Sequence, residues 1–233
     1  MNSGTESGQY FFRPPAGTAV PVVDSKVLFP VNRVYCVGQN YAEHAAEMGA
    51  SPRQAPFFFS KPADAIVVSE SVPYPPMTGD LHHEVELVVA LREGGRNVNP
   101  DRALDLVFGY GIGVDLTRRD LQAEAKNLGR PWTTAKGFDH SAPLSAIRRV
   151  SGIGHPDHSA ISLSVNGQER QRGNTSDMIW TVPEIIAELS RYFELAPGDL
   201  IFTGTPAGVG ALNRGDRVEC SIREVGSMGF EIS

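Results

Sequence analysis

One run of sequence constrains this chain more than any other. Residues 83–91, His-Glu-Val-Glu-Leu-Val-Val-Ala-Leu, carry the β-branched and apolar bulk of a long strand. The neighbours Val85, Leu87, Val88 and Val89 place that strand in or beside a core. Yet Glu84 and Glu86 stand on it at alternate positions, and alternate residues of a strand leave by the same face. Two carboxylates side by side in a dry setting repel, so either one takes up a proton or a cation binds. The plainer reading is an edge strand whose carboxylates face water and lysines.

Elsewhere proline and glycine keep the elements short. Residues 9–32 hold Pro14, Pro15, Pro21 and Pro30 among apolar residues and read as short strands and turns. A strand over 33–37 runs into Gly38, and Asn40 and Gly49 bracket a helix as N-cap and stop. The proline-rich stretch 51–80 excludes a long helix and leaves short strands at 57–60 and 65–68. A glycine-punctuated apolar segment, 104–114, leads to Asp115. Thr117 with Asp120 predicts a capping box opening a helix to about residue 127. A strand over 161–165 enters a hairpin turn at Asn166-Gly167. Thr181 and Glu184 predict a second capping box, its helix running to about 193. A turn at Pro197-Gly198 precedes a strand over 200–203, and the tail 217–232 is strand-like again. Strands outnumber helices without βαβ alternation, which predicts a β-rich α+β fold, one domain over 9–233 behind a disordered segment 1–8.

Bulk properties narrow the function classes. A chain of 233 residues with 41% hydrophobic content can bury one sizeable core. A net charge of −6 leaves no basic footprint for nucleic acid. Cys36 and Cys220 are too few and too far apart to staple the chain, which points to a reducing cytoplasm. The polar start lacks the apolar core of a signal peptide, and no run approaches the ~18 apolar residues of a membrane span.

Asp115 joins the glutamate pair as a third candidate ligand, because it ends an apolar strand just before a helix start. Three carboxylates without cysteine suit a hard cation, and so few protein ligands favour Mg²⁺ or Mn²⁺ over a Ca²⁺ cage. His82 and His83 adjoin the pair as further possible ligands or as packing residues. His44 and Glu47 share a helix face, where a carboxylate can fix an imidazole for activating water; an exposed helical pair is the alternative. Lys136 sits in a loop-like segment, either binding an anion or solvated. The run Gly204-Thr205-Pro206-Ala207-Gly208-Val209-Gly210 lacks the Gly-Lys ending of a phosphate loop, and Pro206 offers no donor. It reads instead as a turn whose N–H groups and Thr205 hydroxyl meet a carboxylate.

Taken in order, five pieces resemble the fumarylacetoacetate hydrolase family. They are Val37-Gly38-Gln39-Asn40-Tyr41 through His44 and Glu47; Leu81-His82-His83-Glu84-Val85-Glu86-Leu87; Gly113-Val114-Asp115-Leu116-Thr117-Arg118-Arg119-Asp120-Leu121-Gln122; Ala135-Lys136-Gly137-Phe138-Asp139; and Asp199-Leu200-Ile201-Phe202-Thr203-Gly204-Thr205-Pro206. The resemblance implies a twisted β-roll or sandwich of mixed sheets with a few short helices, assembled as a homodimer. It implies a metal on Glu84, Glu86 and Asp115, a lid helix carrying His44 and Glu47, and Lys136 near the substrate. Gln122 and Thr205 match positions that contact a 2-oxo acid, with Arg119 beside them. Gly129-Arg130-Pro131-Trp132 and Met178-Ile179-Trp180-Thr181-Val182 fit the acylpyruvate hydrolases of that family, and fumarylpyruvate from aromatic-acid breakdown is the expected substrate. Gln39 departs from the basic or aliphatic residue common there and bears on substrate choice. Arg130 or Arg33 is a candidate partner for a far carboxylate. The same chemistry also serves oxaloacetate decarboxylation, keto-diacid isomerisation and keto-acid dehydration. A β-rich binding module without metal is the non-enzymatic alternative.

Overall fold

The computed structural model describes residues 11–13, 15–42 and 55–233. The expected disordered segment 1–8 and the expected lid helix with His44 and Glu47 lie outside the described residues.

Two mixed sheets organise the molecule. The first has six strands in the order Arg148–Arg149, Val107–Val114, Val85–Leu91, Leu200–Phe202, Val34–Gly38 and Phe57–Lys61. All its pairings are antiparallel except Leu200–Phe202 with Val34–Gly38. The second has five strands in the order Gln168–Asn174, Ala160–Val165, Arg217–Ile222, Gly226–Ile232 and Ser71–Val72. A smaller sheet sets Leu81–His83 between Thr117–Arg118 and Gly210–Leu212. With helices such as Arg119–Asn127 and Val182–Tyr192 at the margins, this is the expected strand-rich α+β architecture. Among the described residues, no helix is long and apolar enough to cross a membrane.

Strand Val85–Leu91 lies inside the six-stranded sheet with every residue buried, so the solvated edge strand is excluded. Period-two alternation divides its side chains. Val85, Leu87, Val89 and Leu91 pack into the larger core between the sheets, with Tyr110, Ile112, Ile201, Leu163 and Phe230. Val88 and Ala90 pack into a second core with Val34, Cys36, Leu200 and Phe202. Glu86 shares the parity of this second face, at the end of the sheet where that core gives way to a cleft.

Local signals produced the elements they promise. Asn166 and Gly167 take positive φ values of 53° and 74°, the pattern of a tight I′ turn between Ala160–Val165 and Gln168–Asn174. Thr181 and Glu184 form the capping box of Val182–Tyr192, with Glu184 Oε2 accepting from the Thr181 N–H at 2.9 Å. Such a cap is worth about 1 kcal/mol. The other expected box does not form. The helix Arg119–Asn127 has Arg118 as its N-cap without a side-chain bond. Thr117 is fully buried and gives its hydroxyl to Glu84 and to the Asp115 carbonyl. Asp120 instead accepts from Thr78 and Gly79.

Candidate active site

The predicted long strand breaks at Glu84. Leu81–His83 belongs to the three-stranded sheet and Val85–Leu91 to the six-stranded one, so Glu84 sits where the chain changes sheets. Its carbonyl accepts from the Asp115 N–H at 2.8 Å, which locks the end of Val107–Val114 against it. The side chains of Glu84 and Glu86 still leave on one side. They meet Asp115 there, and one carboxylate oxygen from each of the three lies within 4.8 Å of the others. All three residues are buried.

Cations are distributed unevenly among these acids. Lys136 Nζ lies 2.8 Å from Glu84 Oε2 and 2.7 Å from Asp115 Oδ2. Arg119 Nη2 donates to Glu84 Oε1 at 2.5 Å. Lys61 Nζ lies 2.8 Å from Asp115 Oδ1 and also donates to the backbone carbonyl of Lys136. Glu86, by contrast, forms no ion pair among the described residues; its Oε2 accepts from the Gly204 N–H at 2.7 Å. Burial, then Asp115 and Glu84, push the Glu86 carboxyl well above the usual carboxylate range, against the pull of Gly204 and Lys136. Burial alone would lower Lys136, but Asp115 and Glu84 outweigh it and hold the ammonium charged.

The donor set fits a hard divalent cation. Every candidate ligand atom is a carboxylate oxygen. Among the described residues, Asp115 Oδ1 receives no directed hydrogen bond despite the nearby Lys61 ammonium. Glu86 is a buried acid with no ion pair among the described residues, and a metal beside it would offset the desolvation that raises its pKa.

The triad lines a narrow cleft of about 20 Å³, together with Gly38, Gln39, Phe57, Phe59, Arg119, Gln122, Trp132, Lys136, Gly204 and Thr205. Two glycines bring backbone into it. Gly204 has φ +95° with Asn40 packed against it, so an ordinary residue would be both strained and blocked. At Gly38 a Cβ would run into the Phe57 ring. Gln39 itself takes φ 55°, an uncommon conformation for a non-glycine residue, at the cleft wall. Gln122 Oε1 accepts from Arg119 Nη1 at 2.5 Å, and the Gln122 amide hydrogens meet no acceptor among the described residues.

The structure therefore gathers Glu84, Glu86, Asp115, Lys136, Arg119, Gln122, Thr205 and Gln39 around one cleft. Arg130 lines an adjoining open recess of about 460 Å³, which shares Phe57, Phe59, Trp132 and Lys136 with the cleft. Lys136 is neither loop-borne nor solvated: it ends the short helix Thr133–Lys136 and is buried. Arg33 is elsewhere, its Nε and Nη2 held by Asp199 at 3.0 and 2.7 Å, so it is no partner for a ligand in this cleft. His82 faces Asp80 and His83 faces Gln171, and neither is part of the metal-ligand cluster. The N–H of Gly204 is spent on Glu86, so the expected meeting of this turn with a carboxylate takes place inside the protein.

Lys61, Gln171, Phe57 and Phe59 escaped the sequence reading. Lys61 follows three phenylalanines and a serine on a short strand, and only its complete burial marks it. Phe57 and Phe59 leave that strand on one side and both meet Trp132, with ring centroids 5.5 and 5.9 Å from it.

Comparison with known proteins places this geometry in context. The fumarylacetoacetate (FAA) hydrolase C-terminal family matches residues 33–233. The fumarylpyruvate hydrolase of a Ralstonia species is 45% identical over 168 residues, covering 72% of this chain and 87% of its own. The oxaloacetate tautomerase of Escherichia coli is 43% identical over 192 residues, covering 82% and 88%. The crystal structure of fumarylpyruvate hydrolase from Pseudomonas aeruginosa, in complex with Mn²⁺ and pyruvate, superposes with a TM-score of 0.94 at 48% identity, covering 96% of this chain and 99% of that one. The chain belongs to the fumarylacetoacetate hydrolase family, whose members include enzymes of both kinds.

Proposed function

We propose that this chain is a Mg²⁺- or Mn²⁺-dependent hydrolase that cleaves the carbon–carbon bond of an acylpyruvate, with fumarylpyruvate giving fumarate and pyruvate. The observation that carries this reading is an aromatic recess lined by Arg130 that shares Phe57, Phe59, Trp132 and Lys136 with the carboxylate pocket. A pyruvyl group suits the first compartment, and a flat acyl chain ending in a carboxylate suits the second. The proposal extends to a homodimer working in the cytoplasm in the breakdown of aromatic acids.

Glu84, Glu86 and Asp115 would hold the metal, which would supply a Lewis acid for the 2-oxo acid end and for the negative charge that develops there. The charges of the pocket agree with that role. Glu84 and Asp115 pair with the three cations Lys61, Lys136 and Arg119, so even with Glu86 ionised the group is neutral, and a divalent ion would leave an excess positive charge for an anionic substrate. Arg119, Gln122 and Thr205 bind and orient the pyruvyl carboxylate. The dyad expected from the sequence supplies the base: His44, with Glu47 as its carboxylate, is assigned to take a proton from water. The resulting hydroxide adds to the distal acyl carbonyl. When that adduct collapses, the carbon–carbon electron pair leaves with the pyruvyl fragment, and a proton returns to its terminal carbon. Lys136, buried and charged, steadies the anion in the meantime.

Oxaloacetate tautomerisation is the second reading, favoured by the similarly close Escherichia coli relative. It moves a proton between carbon and oxygen and needs neither a water nucleophile nor the aromatic recess. A spectrophotometric screen of fumarylpyruvate, acetylpyruvate and oxaloacetate with each metal separates the two. Loss of enol absorbance with pyruvate and the matching acid recovered supports hydrolysis. Equilibration of oxaloacetate enol without cleavage of any acylpyruvate supports the tautomerase, and full activity in excess chelator removes both. In His44→Ala, hydrolysis should fall by more than about a hundredfold with metal affinity nearly intact; unchanged turnover would remove His44 from the mechanism.

A further inference from the structure

The strand Gln168–Asn174 is largely solvated, but Gln171 within it is fully buried. Its amide touches four groups and bridges two parts of the site. One end meets the Val85 N–H and His83 Nδ1, each at 3.0 Å. The other meets Thr205 Oγ1 at 2.7 Å and the Pro206 carbonyl at 2.9 Å.

The polarity of this network follows from its fixed members. A backbone N–H can only donate, so the atom facing Val85 is the oxygen of Gln171. His83 Nδ1 faces the same oxygen and therefore carries a hydrogen. The amide nitrogen is then the atom between Thr205 and Pro206. The Pro206 carbonyl can only accept, which takes one of its two hydrogens. The other goes to Thr205, whose hydroxyl oxygen is thus an acceptor in this bond. The hydroxyl's own hydrogen is left over. Thr205 is buried, lines the cleft, and has no acceptor for that hydrogen among the described residues. An unspent buried donor costs free energy until a ligand takes it.

We propose that Gln171 is a positioning residue that turns the Thr205 hydrogen toward the cleft, where it donates to the carboxylate of a 2-oxo acid. The identity of that anion rests on the acylpyruvate reading; the polarity of the network does not. Val85 lies between Glu84 and Glu86, so the same amide also sets the distance between the metal ligands and the carboxylate-binding hydroxyl.

The test is pyruvate binding to the full-length, Mn²⁺-loaded protein, followed by calorimetry. Thr205→Val and Gln171→Met should each weaken pyruvate about tenfold, as loss of one hydrogen bond to a charged group does. Mn²⁺ affinity should stay within about threefold in each. The double variant should bind pyruvate no more weakly than Thr205→Val, because Gln171 acts through that hydroxyl. Gln171→Glu covers the case in which the methionine variant fails to fold. Ionised, its carboxylate still accepts from Val85 but draws the Thr205 hydrogen to itself, so pyruvate is lost. Protonated at lower pH, its single hydrogen is shared between Thr205 and the Pro206 carbonyl, so affinity returns in part, in contrast with the wild type over the same range. Additive losses in the double variant, or a pH profile of Gln171→Glu matching the wild type, would overturn the positioning role. Failure of the wild type to bind pyruvate would overturn the acylpyruvate reading and this assignment together. Binding that Thr205→Val leaves intact would overturn this assignment alone.

Discussion

The metal pocket and the aromatic recess share Phe57, Phe59, Trp132 and Lys136, yet they are held in different ways. Around the triad, groups from several elements are buried and locked: Glu86 by the Gly204 N–H, Glu84 by Thr117 and Arg119, Asp115 by Lys136. The recess rests on one short strand, Phe57–Lys61, and on the segment around Trp132, with Phe57 38% exposed and the Arg130 side chain 66% exposed. On the acylpyruvate proposal, rigidity sits where charge must be handled, and openness where one acyl group would be distinguished from another. Substitutions on the two sides should therefore fail differently: in the pocket for every substrate, in the recess for long substrates only.

The largest effect is expected at Glu86, the acid of the triad with no ion pair among the described residues. Glu86→Gln should weaken Mn²⁺ by more than about a hundredfold, since even outer partners of metal ligands cost ten- to a hundredfold. Turnover of all substrates should fall with it. Without metal the sign reverses. The folded state holds the Glu86 proton to higher pH than the unfolded chain does, so the unfolded state releases it first and rising pH favours unfolding. Metal-free wild type should thus lose melting temperature as pH climbs above the usual carboxylate range, and Glu86→Gln should lose less. Added Mn²⁺ should raise the melting temperature of the wild type far more than that of the variant. Equal metal-induced shifts would show that Glu86 is not a ligand.

The same contrast explains how much could be read from sequence. Glu84, Glu86 and Asp115 were legible because strand parity is local and acids among apolar neighbours are conspicuous. The Asn166-Gly167 hairpin and the Thr181–Glu184 box were legible for the same reason: each is a contract between residues a few positions apart. Thr117 and Asp120 carried an equally good local signal, but burial beside Glu84 redirected the hydroxyl, so tertiary structure overrode it. Lys61 and Gln171 offered no signal. Gln171 stands in the run Gln-Glu-Arg-Gln-Arg, where period and composition describe a solvated strand. Its burial arises only when that strand meets the Pro206 turn, a contact between distant segments.

Trp132 tests the recess side of the comparison. Its ring meets Phe57 and Phe59 and forms part of both compartments. Trp132→Ala should lower kcat/KM for fumarylpyruvate about ten- to a hundredfold, the scale of a lost aromatic contact surface. For acetylpyruvate the change should stay within about threefold, because a two-carbon acyl group does not reach the wall. Mn²⁺ affinity should be unchanged by calorimetry. A common loss on both substrates would mean that Trp132 supports the pocket, and the division between the two regions would dissolve.

Arg130 sharpens the comparison at its smallest expected effect. The guanidinium lies 3.8 Å from Glu124 Oε1, a loose pair with most of its side chain in water. A charge so placed gains little from a substrate carboxylate, because solvent screens the attraction and the side chain gives up freedom to make it. Arg130→Ala should therefore raise KM for fumarylpyruvate only about two- to fivefold, with kcat unchanged. The effect should shrink between about 50 and 500 mM salt as the Debye length shortens. Acetylpyruvate, which has no second carboxylate, serves as the control and should show no change. An equal loss on both substrates would assign Arg130 to the support of the recess rather than to recognition. A loss above about a hundredfold would mean the arginine is desolvated when substrate is bound, and that the recess closes far more tightly than its open form suggests.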